Sequence, residues 1–470
     1  MRQGSDSEKS RQSPHGQAPA SHAAQPADSS PRKSGGLTSW RSAHRSRNHD
    51  SAHAEDLMAH DSRVIDHPMI APGPAPLITD QAALDRLIGE LRSAGSFAYD
   101  TEFIGELTYH PLLCVIQVAT TENVMLIDPM AGLDLRQFWE LLADESVEKV
   151  VHAGEQDVEP VARQLGGGRG ARNVVDTQIA AGFAGLAYPV ALSKLVLEHF
   201  GVKLGKGLTF THWDQRPLSP VQLRYAADDV RYLPALWDAL RQRVESLGHK
   251  EWAIAECREM CDPAQFGFNP DTYYHRVRGA ATLSSAGMAV LRELTIWRNA
   301  AAREANVPPR ALVKDDILID MARSPIKQIE KLDRVRGLPR PVENEHGQAI
   351  VDATQRALAS PMAQRPAPRA PEVSPTERFR ADSLFAAAGA LCAARSVDAG
   401  LATSRQEIGE FLRHVTSQDP QAHAALEQLH VMRGWRREAL GVPLLNFVRG
   451  ETAHANLQFI WRDGRLQSPA

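Results

Sequence analysis

Between residues 77 and 250, short apolar runs of strand length alternate with helical stretches, and this alternation restricts the fold more than any other feature. The stretch LITDQAALDRLIGELRSAG predicts a short strand followed by a capped helix, and the next strand-like runs are SFAYDTEF, LLCVIQVAT, NVMLIDP and KVVHA. Strands and helices mixed on this scale predict an α/β domain. Only Thr121 and Glu122 separate LLCVIQVAT from NVMLIDP, a spacing that suits an antiparallel hairpin and so predicts a mixed sheet.

The remaining sequence divides by composition. A chain of 470 residues is too long for one ordinary core. The N-terminal segment is rich in Ser, His, Pro, Ala and Arg without a hydrophobic period, which predicts disorder. We therefore expect a disordered tail (1–75), a sheet domain (76–250), a connector (251–282), a first helical module (283–359), a Pro/Ala-rich linker (360–375), a second helical module (376–450) and a C-terminal tail (451–470) with a small hairpin turning at Asp463 and Gly464.

Composition also excludes some classes of protein. No apolar run reaches the roughly 18 residues of a membrane span, and the start lacks the apolar stretch of a secretory signal. The four cysteines are too scattered for a disulfide framework, which favours a reducing compartment and a cytoplasmic location. The formal charge of −4 does not by itself indicate a nucleic-acid binder, so any such function must come from a site.

Two carboxylates stand close together in FAYDTEF. Asp100 and Glu102 are two residues apart in a predicted strand, so both side chains leave the same face. Two acids on an otherwise apolar strand repel each other unless a cation neutralises them, and hard oxygen ligands suit Mg²⁺ or Mn²⁺. The alternative is a pair of exposed acids at a strand end.

A third acid follows a strand-to-helix turn in KVVHAGEQDVEPV. The strand ends at His152 and a helix begins near Glu155, which places Asp157 in the first helical turn at the mouth of the sheet. The alternative is an acid favoured there only by the helix dipole.

A late helix carries the last two candidates. Ser219 and Gln222 form a capping box at its start, and Tyr225 and Asp229 are four residues apart on one face. Asp228 points roughly 100° away and should not share the role of Asp229. Taken alone, Tyr225 and Asp229 are better interpreted as a solvated Tyr and Asp on a helix edge.

Together and in this order, the acid-x-acid strand, the Asp after a turn and the Tyr-x-x-x-Asp helix resemble the three motifs of the DEDDy exonuclease superfamily. The surrounding segments DTEF, LLCVIQVA, LIDP, HAGEQD, DTQIAA and WDQRPL before YAADDVRYL resemble the ribonuclease D family over about residues 77–250. Tyr225 separates this chain from the branch that has histidine there. The resemblance implies an α/β ribonuclease H-like exonuclease domain, a mixed sheet flanked by helices.

The resemblance continues in the helical modules. The segment 291–322 resembles the HRDC domain shared by ribonuclease D and RecQ-type helicases, with Leu291, Leu294, Trp297 and Ala301 at core spacing. Asn306 and the Pro308-Pro309 pair are expected to end that helix. The segment 376–448 resembles the second, more divergent HRDC-like domain of bacterial ribonuclease D. All-α HRDC-type helical domains are therefore expected after the sheet domain.

The family resemblance implies a 3′-to-5′ exoribonuclease that trims tRNA precursors and other structured RNAs as a monomer, by two-metal-ion hydrolysis with Mg²⁺ or Mn²⁺. It assigns catalysis to Asp100, Glu102, Asp157, Tyr225 and Asp229. The water-activating ion would be held by Asp100, Glu102 and Asp229, and the second ion by Asp100 and, through water, Asp157. Tyr225 would orient water and phosphate, because an unperturbed pKa near 10 makes it a poor base.

Three further residues are candidates for contacting the RNA, namely Phe103, His152 and Lys206. His152 better suits a structural hydrogen bond, and Lys206 equally suits a solvated loop. Asp176 suits a helix N-cap as well as a site role. The alternative functions are a DNA-directed exonuclease and a non-catalytic RNA-binding module. The HRDC-like modules and the absence of a polymerase region argue against the first, and the complete motif set argues against the second.

Overall fold

A mixed six-stranded sheet forms the centre of the sheet domain in the computed structural model, which describes residues 65–205, 212–362 and 374–450 and the backbone of two later strands. The strand order is β1-β4-β3-β2-β5-β6. Only β3 runs antiparallel to its neighbours, and it forms the predicted hairpin with β4. The strands are β1 (Leu77–Ile78), β2 (Ser96–Ile104), β3 (Leu112–Ala119), β4 (Val124–Ile127), β5 (Glu148–Val151) and β6 (Val174–Asp176). Strand β6 was not predicted, because three residues are too few to show a period.

Helices cover both faces of this sheet. Alternate residues of β2 and β3 point to opposite sides, so Phe97, Tyr99 and Ile116 enter one apolar core while Ala98 and Ala119 enter another. The confirmed architecture is thus an α/β sandwich. The helices of the sheet domain and of the segment after it are α1 (Gln81–Ala94), α2 (Arg136–Leu142), α3 (Glu155–Leu165), α4 (Thr177–Phe183), α5 (Leu192–Phe200), α6 (Pro220–Arg231), α7 (Leu233–Ser246) and α8 (Lys250–Met260).

The helix expected to be continuous after Ser219 is two helices. Its capping box is present, since the Ser219 hydroxyl accepts from the Gln222 backbone N–H and the Gln222 side chain accepts from the Ser219 N–H. The first helix, α6, ends at Arg231, and α7 begins after the buried Tyr232. Pro234 explains the break, because it lacks an N–H and its ring opposes the carbonyl one turn earlier.

Residues 65–75 correct the predicted N-terminal boundary, since part of this segment belongs to the packed domain. Ile70 and Ala71 are buried against the helices of the sheet domain. The buried guanidinium of Arg231 donates to the carbonyl oxygens of Ala71 and, at 3.0 Å, of Gly73. The segment has no hydrophobic period because it packs through only a few isolated residues. Its composition therefore led to the prediction that it belongs to the tail.

The first helical module has a core of its own. Leu291, Leu294, Trp297 and Ala301 are buried in it, as their spacing predicted. Its longest helices pack on each other, and Asn306 adopts a positive φ of 49° just past the end of the first. The helices are α9 (Ser285–Glu304), α10 (Pro309–Leu312), α11 (Asp315–Arg323) and α12 (Arg340–Ala359).

The second helical module instead shares a core with the sheet domain. Leu384, Phe411 and Leu440 lie in the same apolar cluster as Phe183 and Leu236 of that domain. The two parts are therefore one packed body. Its helices are α13 (Pro375–Ala394), α14 (Ala399–Ala402), α15 (Arg405–Thr416), α16 (Pro420–Leu426), α17 (Gly434–Arg436) and α18 (Val442–Arg449), with a π-helical turn at Arg437–Gly441.

A buried ion pair joins the second module to helix α8. The Arg436 guanidinium donates to both carboxylate oxygens of Glu256 at 2.7 and 2.5 Å, and the Trp435 indole N–H donates to the same carboxylate at 2.8 Å. The Trp435 ring also stacks on Trp252 at 5.6 Å. Bidentate pairs of this kind hold both direction and distance, so this contact fixes how the module docks.

Two short strands follow the second module. The strands β7 (Ile460–Arg462) and β8 (Arg465–Gln467) pair antiparallel, as the predicted hairpin requires, and the predicted turn residues Asp463 and Gly464 lie outside the described residues. Among the described helices, none combines the length and the apolar composition that a bilayer crossing requires.

Truncation tests the corrected boundary. We expect a chain that begins at residue 65 to melt like the full chain, because no described contact is lost. A chain that begins at Pro72 loses the buried Ile70 and an acceptor of Arg231, which should cost on the order of 3–5 kcal/mol of unfolding free energy. Denaturant unfolding measures the difference, and equal stability of the two truncated chains would contradict this packing.

The substitution Glu256→Gln tests the docking of the second module. Breaking a buried ion pair leaves Arg436 uncompensated and should cost about 3–5 kcal/mol of unfolding free energy. The matched control is Glu427→Gln, which breaks the exposed pair with Arg437 in the same module and should cost at most about 1 kcal/mol. Similar losses in the two variants would mean that the buried pair does not hold the module.

Candidate active site

Strand β2 presents two acids toward helix α6. Asp100 and Glu102 alternate with Tyr99 and Thr101, so both acids leave the same face of the strand, as the sequence predicted. Helix α6 covers that face. A β-bulge follows between Glu102 and Phe103. Bulges bend and twist a strand, and this one redirects the chain immediately beyond the second acid.

Helix α6 brings a third acid to the same point. One carboxylate oxygen each from Asp100, Glu102 and Asp229 lie within 4.8 Å of one another. Tyr225, one turn earlier on α6, lies on the same helix face as Asp229. Burial raises the pKa of the Asp229 carboxyl, and the Tyr225 side chain lowers it in part. Asp228 points elsewhere and forms an ion pair with Arg231 at 3.5 Å, as the helical geometry predicted.

Asp157 lies beside this group but is held separately. It is buried in the first turn of α3, where its carboxylate accepts a hydrogen bond from the Thr101 hydroxyl. The Tyr99 hydroxyl donates to the Asp157 backbone oxygen at 2.9 Å. Asp157 is therefore not one of the three converging ligands, but its charge raises the pKa of both Asp100 and Glu102.

Burial and mutual repulsion disfavour the charged forms of all four acids. Burial, followed by the neighbouring carboxylates, raises the pKa of Asp100 well above its usual range and that of Glu102 to about 8. Burial likewise raises the pKa of Asp229 to about 7 and that of Asp157 to about 6. Clustered, half-buried carboxylates that repel one another are a donor set that fits divalent cations.

The turn that presents Asp157 is fixed by Asp176. The Asp176 carboxylate caps helix α4 by accepting from the Gln178 N–H at 2.7 Å, so the predicted N-cap is confirmed. It also accepts from the backbone N–H groups of Ala153 at 3.1 Å and Gly154 at 2.9 Å. One buried side chain thus ties the start of α3 to the start of α4 and positions the turn.

His152 has a structural role in this arrangement. Its Nδ1 lies 2.9 Å from the Thr177 hydroxyl oxygen and its Nε2 lies 3.0 Å from the Val190 carbonyl oxygen. Burial lowers the pKa of the imidazole. Of the other two substrate-contact candidates, Phe103 is half-buried beyond the bulge, and Lys206 lies outside the described residues.

The sequence analysis missed residues that contact the acids or the strand that carries them. Thr101 and Tyr99 escaped notice because their importance depends on where Asp157 meets the sheet. Gln117 could have been found as the single polar residue of the run LLCVIQVA. It pairs with Asp100 across the strands and is fully buried, and neither its Oε1 nor its Nε2 has a hydrogen-bond partner among the described residues.

Arg216 anchors the segment that leads into α6. Its guanidinium donates to both carboxylate oxygens of Asp128 at 2.6 Å and to the Cys114 carbonyl oxygen at 2.8 Å. The neighbouring Trp213 ring lies 6.2 Å from the Tyr225 ring. The WDQRPL segment therefore fixes the start of the helix that carries Tyr225 and Asp229.

Comparison with known proteins supports the exonuclease resemblance of the sheet domain and the HRDC resemblance of the first helical module. A family model for 3′-5′ exonucleases matches residues 76–245, and a model for the HRDC domain matches residues 288–354. Ribonuclease D of Gluconacetobacter diazotrophicus is 33% identical over 370 residues, which cover 78% of this chain and 90% of that protein. Ribonuclease D of Sphingobium indicum is 32% identical over 397 residues, covering 83% and 98%.

A solved structure extends this similarity to the fold. The crystal structure of Escherichia coli RNase D, described as an exoribonuclease involved in structured RNA processing, aligns with a TM-score of 0.68 at 29% identity. The alignment covers 80% of this chain and 99% of that chain, and so includes helical modules as well as the sheet. Because the likeness spans nearly the whole length of these relatives, the chain belongs to the ribonuclease D family of 3′-to-5′ exoribonucleases.

Proposed function

We propose that this exoribonuclease trims the 3′ ends of structured RNAs and releases nucleoside 5′-monophosphates, with Asp100, Glu102, Asp157, Tyr225 and Asp229 as its catalytic residues. The observation that carries the proposal is the convergence of three carboxylates from a strand and a helix within 4.8 Å. A scaffold protein has no use for half-buried acids that repel one another, whereas phosphodiester hydrolysis needs them as cation ligands.

The donor set suits two divalent cations, Mg²⁺ or Mn²⁺. Asp100, Glu102 and Asp229 would hold one, and Asp100 together with Asp157 would hold the other. When bound, such ions supply charge stabilisation to the in-line transition state and a more acidic nucleophilic water. They would also reverse the local negative field, so that a chain of net charge −4 can bind RNA.

Tyr225 acts as a hydrogen-bond donor in this proposal. Burial and the charges of Asp229 and Glu102 raise the pKa of its phenol well above 10, so it stays protonated at neutral pH. A protonated phenol cannot serve as the base. It can orient the Asp229 carboxylate and an incoming water or phosphate, which is the role that the site leaves for it.

The physiological substrates proposed are tRNA precursors and other structured RNAs, trimmed in the cytoplasm by a monomer. The Escherichia coli relative is described as acting in structured RNA processing, and this description supports the proposal. Sequencing RNA 3′ ends from cells with and without the protein tests it. Degradation of DNA tails as fast as RNA tails by the purified protein would favour the DNA-directed alternative.

The substitution Asp100→Asn tests the catalytic assignment. Losing a carboxylate at the centre of the cluster should remove transition-state stabilisation worth roughly three or more decades of rate on a linear RNA with a free 3′ end. The control Asp85→Asn changes an exposed acid on α1 and should leave the rate unchanged. Wild-type turnover by Asp100→Asn would refute the assignment, and cleavage of circular RNA as fast as linear RNA would refute the exonuclease direction.

The raised pKa values predict how pH and metal act together. Because the folded protein binds extra protons at Glu102 and Asp229, the stability of the metal-free protein should fall as pH rises from about 5 to 8. Mg²⁺ binds the deprotonated carboxylates, so it should raise the melting temperature more at pH 8 than at pH 6. Thermal melts with chelator and with Mg²⁺ measure both effects, and an equal Mg²⁺ shift at the two pH values would contradict the cluster as the metal site.

A further inference from the structure

Gln117 is a buried amide that the contacts of the fold leave without a partner. Its side chain on β3 is 0% exposed, and neither its Oε1 nor its Nε2 has a hydrogen-bond partner among the described residues. Burying polar atoms without hydrogen bonds costs free energy, and folded proteins rarely keep such atoms without a use for them. We therefore looked for the group that this amide could serve.

The register of the sheet places Gln117 directly beside Asp100. The two residues lie opposite each other in the antiparallel pair of β2 and β3. Residues in this relation project from the same face, with Cβ atoms about 4.5–5.5 Å apart, a distance that long side chains can bridge. The amide and the Asp100 carboxylate therefore enter the same space beneath helix α6.

The other neighbours of Gln117 on this face are apolar. Leu126 of β4 lies opposite Gln117 on the side away from Asp100. Val115 and Ala119 lie two positions away along β3, so their side chains share the face, and both are buried. These hydrocarbon side chains cannot hydrogen-bond to an amide. In the register of the sheet, the polar side chain directly beside the amide is that of Asp100.

The chemistry of the two groups is complementary. An ionised carboxylate only accepts hydrogen bonds and has about four sites for them, whereas an amide nitrogen donates two. Carboxylates that bind metal ions are commonly held in turn by a hydrogen bond from a neighbouring group, which fixes their orientation. A neutral amide can supply that bond without adding a positive charge, which would compete with cations for the carboxylates.

We propose that Gln117 is a positioning residue for Asp100, and that its amide N–H donates to the Asp100 carboxylate when that carboxylate binds divalent cations. The proposal rests on the proposed function, because it takes Asp100 as a cation ligand. In this structure the amide makes no hydrogen bond to Asp100. Rotation about side-chain bonds is enough to form it, since the backbones of the two residues are already paired.

The substitution Gln117→Met tests the proposal. Met has a similar length and volume but lacks the amide, so it should fit among the apolar neighbours. In chelator, the melting temperature should stay at the wild-type value or rise, because an unsatisfied buried amide is removed. The affinity for Mn²⁺ alone, measured by isothermal titration calorimetry, should fall by about 10- to 100-fold, the usual effect of losing a hydrogen bond behind a metal ligand.

The matched control is Leu126→Met, which changes the residue on the other side of Gln117 without touching the amide. Its affinity for Mn²⁺ should equal that of the wild type. Equal affinities in Gln117→Met and Leu126→Met would overturn the proposal. So would a loss of affinity of the same size in both variants, because repacking of the sheet would then explain it.

Stability in chelator separates positioning from a structural role. A melting temperature several degrees lower in Gln117→Met than in Leu126→Met would mean that the amide supports the fold without cations, and would overturn the proposal. A wild-type chain that binds no Mn²⁺ would instead refute the proposed metal site itself. Failure of the positioning role and failure of the proposed function are therefore distinguishable.

Discussion

The confinement of four carboxylates in one place, one of them buried and three half-buried, is the constraint on which the rest of the sheet domain depends. Charged groups in a medium of low polarisability repel strongly, and the raised pKa values of Asp100, Glu102, Asp157 and Asp229 express that cost. The acids could relax by moving apart. The acids stay close together because each belongs to a strand or helix whose backbone position is fixed by its own hydrogen bonds.

Hydrogen bonds from neighbouring side chains also hold the acid-bearing elements in place. Asp176 holds the turn before α3, Thr101 and Tyr99 hold Asp157 on the sheet, and Arg216 holds the segment before α6. Each bond joins an acid-bearing element to a different part of the chain. In the proposed nuclease site, the acids would be placed before the substrate arrives, and preorganisation of this kind would keep the cost of reorganisation out of the reaction.

The two helical modules relate to the sheet domain in different ways. The second shares its core and is tied to it through Glu256 and Arg436, so it belongs to the catalytic body. The first has its own core and meets the sheet domain through the loop that follows the catalytic strand. A separately packed module can present substrate without carrying the stability of the site, which suits a role in holding RNA.

The sequence by itself determined those features that depend on short-range geometry. The shared face of Asp100 and Glu102, the stacking of Tyr225 and Asp229 and the capping box at Ser219 follow from periods of two and 3.6 residues. Only the tertiary structure decided the convergence of the acids, the support of Asp157 by Thr101 and Tyr99, the packing of Ile70 and the shared core of the second module. These depend on residues far apart in the chain, and local periodicity contains no information about which distant surfaces bury each other.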